Sequence, residues 1–208
     1  MTNLELGTLF STYGSVAFLS YIFGGVLADK FSPRKLLAYS LMLTSLGGFF
    51  MMSYPSYFTL QLIYAYWGFT TVFLFWAPMI KATSIIGGLK KQGKTFSFLD
   101  AGRGIVASSI GIIGVLIFAF VVVGDISNST LQEKRDAFRY VIGASSLIVF
   151  ITGIIVYNFL NIEIDSEAKI GDFRDMKKLM KSKSVILIGL IILTAYMGYK
   201  ITDIYSLY

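Results

Sequence analysis

Two charged clusters stand inside long apolar runs, where charge is costly, and they pose the first chemical question. Asp100 and Arg103 are three residues apart in Phe96-Ser97-Phe98-Leu99-Asp100-Ala101-Gly102-Arg103-Gly104. On a helix this spacing puts them on one face. They can neutralise each other there, or Arg103 can attract an anion while Asp100 orients it. Tyr196, Tyr199, Lys200 and Asp203 follow the i, i+3, i+4, i+7 spacing of one helix stripe. If that helix starts near Ser184, Lys200 lies about 24 Å along it. So polar a stripe, so far along an apolar run, favours a cavity or a contact with another bundle. Mutual neutralisation of Lys200 and Asp203 is the competing reading. Lys81 follows Trp76-Ala77-Pro78. Pro78 should kink its helix and leave the Leu74 carbonyl without its intrahelical partner. Lys81 either snorkels to a polar boundary or contacts a bound solute.

Other chemistries are excluded or fail on context. The chain has no Cys and no His, so disulfides, thiolate metal sites, Ser-His-Asp catalysis and the HExxH zinc motif are absent. Gly88-Leu89-Lys90-Lys91-Gln92-Gly93-Lys94-Thr95 matches the phosphate-loop pattern GxxxxGK[ST]. That pattern binds nucleotide only after a strand in an α/β sheet, and no strand fits between the two apolar runs that flank it. Gly102-Arg103-Gly104-Ile105-Val106-Ala107 mimics a dinucleotide fingerprint inside an apolar run with no βαβ unit. No catalytic dyad has a recognisable spacing, so an enzyme is not expected, and neither is a cofactor or a resident metal.

The elements that position these residues are membrane helices. Of 208 residues, 55% are hydrophobic and only 14% charged, and the mean hydropathy is +0.71. A soluble domain carries about 25% charged residues. Apolar runs fall near 6–28, 36–54, 58–87, 96–123, 138–160 and 184–208. Each is long enough to span as a helix, too long for a strand and without period-two alternation. The fold class is therefore an all-α polytopic membrane bundle with about six spans. The net charge of +6 reports orientation, not nucleic acid. Lys30, Arg34 and Lys35 lie in the first connection and Lys90, Lys91 and Lys94 in the third. The fifth, 161–183, carries six cations: Lys169, Arg174, Lys177, Lys178, Lys181 and Lys183. The second connection has none and the fourth mixes both signs, so connections one, three and five are expected in the cytoplasm. Ile170, Phe173, Met176 and Met180 suggest a short amphipathic helix within the fifth, with a solvated linker as the alternative.

The first connection reads Gly25-Val26-Leu27-Ala28-Asp29-Lys30-Phe31-Ser32-Pro33-Arg34-Lys35. It resembles the signature loop of the major facilitator superfamily (MFS), Gly-x-x-x-Asp-Arg/Lys-x-Gly-x-Arg/Lys-Arg/Lys, with Ser32 in place of the usual Gly. The resemblance implies that the six runs correspond to the second to seventh helices of such a transporter. Residues 1–160 would then be five helices of the N-terminal bundle, without its first helix. Residues 161–183 would be the cytoplasmic central loop, and 184–208 the first helix of the C-terminal bundle. The chain would be a fragment whose partner is the remainder of the transporter.

The resemblance further implies a secondary transporter in a bacterial inner membrane that works by alternating access between two bundles. Gly25, Asp29, Lys30, Arg34 and Lys35 would form the cytoplasmic gate, with Gly25 allowing close helix approach. Arg103, Asp100, Lys200, Asp203, Tyr196, Tyr199 and Lys81 are the candidate substrate-binding residues. Cations Lys81, Arg103 and Lys200 outnumber acids Asp100 and Asp203, which suits a small anionic solute such as an organic acid or a phosphorylated metabolite. A neutral solute moved with protons stays open, and so does a non-transporting, receptor-like or decayed relative.

Overall fold

A computed structural model describes residues 2–122, 129–162 and 181–205. Among these residues six helices follow one another: α1 (Asn3–Lys30), α2 (Pro33–Met51), α3 (Tyr57–Gly68), α4 (Ala77–Val121), α5 (Leu131–Phe159) and α6 (Lys183–Tyr205). A π-helical segment, Phe69–Trp76, joins α3 to α4 without a loop. There is no strand among the described residues. The chain divides into two units, 1–168 and 169–208. The second contributes α6, and the expected amphipathic segment at 170–180 lies outside the described residues.

Local chemistry sets the helix boundaries. Thr2 and Thr130 open α1 and α5 with capping boxes, completed by Glu5 and Glu133 three residues on. Each box satisfies backbone N–H groups that have no carbonyl partner in the first turn. Pro33 opens α2 at a position where its missing N–H costs nothing. The long helix α4 reverses at Gly88, whose φ of +53° an L side chain rarely adopts. After the reversal, Gln92 donates to the Ser84 hydroxyl at 3.2 Å. Gly87 lies so close to Thr95 that a Cβ there would sit 2.8 Å from its hydroxyl. The third connection is thus a turn of almost no length. Lys90, Lys91 and Lys94 sit on helix, and so does the rest of the phosphate-loop look-alike after Gly88. No phosphate-cradling loop exists there.

Among the described residues, three helical stretches are long and apolar enough to cross a membrane: Asn3–Lys30, Tyr57–Val121 and Leu131–Phe159. The second is two antiparallel arms, so four of the expected spans lie in these stretches. Shorter and more polar, α2 packs inside the bundle. Its Gly48 lies against Ser146 of α5, and Gly153 of α5 lies against Ala38, Leu41 and Met42. Leu37, Met79 and Ala82 form a buried cluster where α2 meets both arms of α4. On α4, Gly114 approaches Val141 of α5, whereas Gly102, Gly104 and Gly111 face open space.

Pro78 stands in the first turn of α4, directly after the π-helical segment that holds Leu74. That segment ends two residues before it. Here the β-branched and aromatic run Phe69-Thr70-Thr71-Val72-Phe73 takes the wider π turn. Phe69 and Phe73 stack with centroids 4.9 Å apart. Thr70 is fully buried.

Candidate functional site

The connections sort onto two ends of the first unit. At one end Lys81 of α4 reaches the last turn of α1. Its Nζ donates to the Ala28 carbonyl at 2.8 Å and to the Asp29 carbonyl at 3.4 Å, and lies 3.5 Å from the Asp29 carboxylate. The last carbonyls of a helix have no intrahelical donor and carry partial negative charge. Lys81 supplies both the donor and the countercharge, and its side chain is only 21% exposed. Among the residues proposed from sequence to bind a solute, Lys81 therefore joins the signature loop instead.

Around this contact lie Lys30 and Lys35, both exposed, and Arg34, whose guanidinium sits 5.8 Å from the Tyr157 ring near the end of α5. Gly25 does not mediate a close helix approach: a Cβ there would meet nothing within 4 Å. Its neighbour does, since a Cβ on Gly24 would lie 3.3 Å from the Phe73 carbonyl of the π-helical segment. The register of α1 turns Gly24 inward and leaves Gly25 on an open groove of about 550 Å³. Tyr21, Asp29, Trp76, Lys81 and Ser84 also line this groove.

Asp100 and Arg103 pair with each other across one helical turn, Nη1 to Oδ1 at 3.1 Å. Arg103 also lies over Trp76, 5.2 Å from the ring centroid. The guanidinium is thus held between a carboxylate and an aromatic face, yet its side chain is 53% exposed. Both neutralisation and a spare charged surface are present at one place. A guanidinium has five donors, and the carboxylate does not exhaust them. The stripe Tyr196, Tyr199, Lys200 and Asp203 falls on unbroken α6, so the four share a helix face. Their side chains lie outside the described residues.

Several residues near these positions carry no sequence signal of their own. Trp76 is shared by the groove and by Arg103. Ser40 of α2 donates to the Thr70 carbonyl at 2.7 Å, and Thr44 donates to the Thr70 hydroxyl at 2.9 Å. The Tyr13 hydroxyl of α1 pairs with that of Thr71 at 3.1 Å. Hydroxyls in membrane helices commonly bond their own backbone, so spacing alone cannot tell an interhelical bond from a local one. At the opposite end of the unit, Tyr54 lies between Arg135 and Arg139, 4.8 and 5.6 Å from its ring centroid. Its hydroxyl donates to the Arg135 carbonyl at 2.6 Å. Among the described residues no cluster of acidic side chains could hold a metal ion.

The chain is 28% identical over 160 residues to Inner membrane protein YqcE of Escherichia coli (strain K12), covering 77% of this chain and 36% of that protein. It is 26% identical over 206 residues to Inner membrane protein YihN of the same organism, covering 96% of this chain and 47% of that protein. An uncharacterized MG294 homolog of Mycoplasma pneumoniae is 26% identical over 168 residues, 73% of this chain and 34% of that protein. The chain thus spans between about a third and a half of the length of these curated relatives. No solved structure matches it. The model of the Major Facilitator Superfamily matches residues 1–208, and with its all-helical membrane fold and its signature loop the chain belongs to that family of membrane transporters.

Proposed function

We propose that this chain is part of a secondary active transporter that moves a small polar or anionic solute across a bacterial inner membrane by alternating access. Residues 1–160 supply helices of one bundle, 161–183 the cytoplasmic central loop and 184–208 the first helix of the second bundle. The remainder of the transporter is supplied by chain beyond these residues. The relatives named as inner membrane proteins support the location. The charge difference between the ends of the first unit supports the orientation, with the Lys30, Lys35 and Lys90 end in the cytoplasm.

One observation carries the solute class. Arg103 lies within an apolar helix, is half-exposed, and is oriented by Asp100 and Trp76. Ionisable groups at such positions are rare and mark solute or ion pathways. In this reading Arg103 attracts the anion, and Asp100 and Trp76 hold the guanidinium plane. Lys200, Asp203, Tyr196 and Tyr199, which share one face of α6, are the further candidates for solute binding. Asp29 and Lys81 close the cytoplasmic end, flanked by Gly25, Lys30, Arg34 and Lys35.

The test is uptake by the full-length protein in liposomes, using a panel of carboxylates, sugar phosphates and neutral sugars. Arg103→Gln should lower uptake of the anionic solute by about ten- to a hundredfold, since a hydrogen bond to a charged group contributes about 1.5–3 kcal/mol. Arg103→Lys should restore part of it. Uptake confined to neutral sugars and indifferent to Arg103→Gln would refute the anionic assignment. Saturable binding without flux would replace the transporter with a solute receptor.

A further inference from the structure

We infer that the hydroxyls of Ser40, Thr44 and Tyr13 act as positioning groups. They hold segment 69–76 in its π register, and that register brings Lys81 onto the end of α1. A π turn closes by an i to i+5 bond and takes up more chain per turn than an α turn. The angular position of every later residue on α4 therefore depends on whether residues 69–76 wind as π or as α. If the segment relaxed to α, the helix beyond it would turn by roughly one residue, about 100°. Ile80 would then take the place of Lys81, and the α1 carbonyls would face an apolar side chain.

The bonds that select the π register come from outside the segment. Ser40 donates to the Thr70 backbone carbonyl, and both residues are buried, 1% and 0% exposed. Thr44 fixes the Thr70 side chain, so two hydroxyls from successive turns of α2 grip one residue. From the other side Tyr13 of α1 holds Thr71. Steric fit completes the clamp. A Cβ on Gly68, just before the segment, would lie 2.6 Å from the Tyr13 carbonyl, and one on Gly24 would lie 3.3 Å from the Phe73 carbonyl. Thus α1 and α2 both press on the segment, and Lys81 follows five residues after its end.

The inference rests on the contact between Lys81 and α1, not on that contact acting as a gate or on Arg103 binding a solute. Its test therefore reads position and not transport. The chain has no native Cys, so paired cysteines report cleanly. Asp29→Cys is combined in turn with Ile80→Cys, Lys81→Cys, Ala82→Cys and Ser84→Cys, and disulfide yield is measured in membranes after mild oxidation. With the clamp intact, yield should peak at position 81. Adding Ser40→Ala and Thr44→Val should move the peak one residue back, to position 80, a turn of about 100°. Ser40→Thr, which keeps the hydroxyl, should hold it at 81. Tyr13→Phe, a milder change that removes only one hydroxyl, should raise the yield at 80 without abolishing that at 81. A peak that stays at 81 in the Ser40→Ala, Thr44→Val background overturns the inference. So does an equal fall at all four positions, which would mean that the hydroxyls only hold the helices together.

Discussion

The two ends of the first unit are fastened by different physics. At the lysine-rich end the fastening is a charge: one ammonium, mostly sheltered, on a carboxylate and two helix-end carbonyls. At the other end it is stacking and backbone bonding. Tyr54 lies between two guanidinium groups, Arg139 donates to the Met52 carbonyl at 3.1 Å, and Tyr57 reaches the Glu5 carbonyl and pairs with the Thr8 hydroxyl. A contact concentrated in one ion is lost all at once when that ion finds another partner. A contact spread over several rings and carbonyls loosens gradually. On the alternating-access proposal, the first kind suits the end that opens and closes, and the second the end that holds helices together.

The strongest way to break this contrast is at Lys81. Lys81→Met should destabilise the bundle by about 1–3 kcal/mol, because it strips a donor from sheltered acceptors. In the full-length protein it should also impair uptake more than Asp29→Asn, which leaves the carbonyl bonds in place. Equal thermal stability and uptake in Lys81→Met and the parent would show that this end does not depend on one charge. Next in size is Tyr54, whose φ of +50° is strained for a residue with a Cβ. Tyr54→Ala should cost about 1–2 kcal/mol through lost stacking and a lost hydrogen bond. Tyr54→Gly should cost less because glycine adopts this backbone freely. Neither should change uptake, and a glycine variant less stable than the alanine one would remove strain from the account.

The smallest effect is at Glu133. Its backbone hydrogen bond from Thr130, then the Thr130 hydroxyl, hold its carboxyl below the ordinary value of 4.5. A carboxyl lowered by folding adds stability that is complete above its unfolded pKa and is lost as pH falls through the folded one. The parent should therefore lose a small part of its thermal stability as pH drops below about 4.5. Glu133→Gln should lack that component, and superimposable pH profiles would show that the cap contributes nothing through its charge.

Much of the fold is legible in the sequence because membrane helices announce themselves by length and apolarity. The run at 6–28 lies within α1, and that at 138–160 falls on α5 apart from its last residue. The pairing of Asp100 with Arg103 also follows from spacing. Three things do not. The seven-residue connection at Gly88-Leu89-Lys90-Lys91-Gln92-Gly93-Lys94 looks like a loop by composition, yet one left-handed glycine makes the reversal and the lysines continue the helix. Gly25 and Gly24 are indistinguishable in an apolar run, and only the angular position of α1 decides which one meets a neighbour. The π register is invisible, and the hydroxyls that bond its residues Thr70 and Thr71 come from helices that are distant in sequence. Lys81 belongs with the signature loop for the same reason, since its partner is 52 residues away.

The reversal at Gly88 also bears on how the protein is made. Two arms joined by a single turn of almost no length favour entry into a bilayer together, as one hairpin. In such a hairpin Arg103 lies opposite Trp76 and beside Asp100, and a paired, ring-covered guanidinium is less costly to place in hydrocarbon than a bare cation.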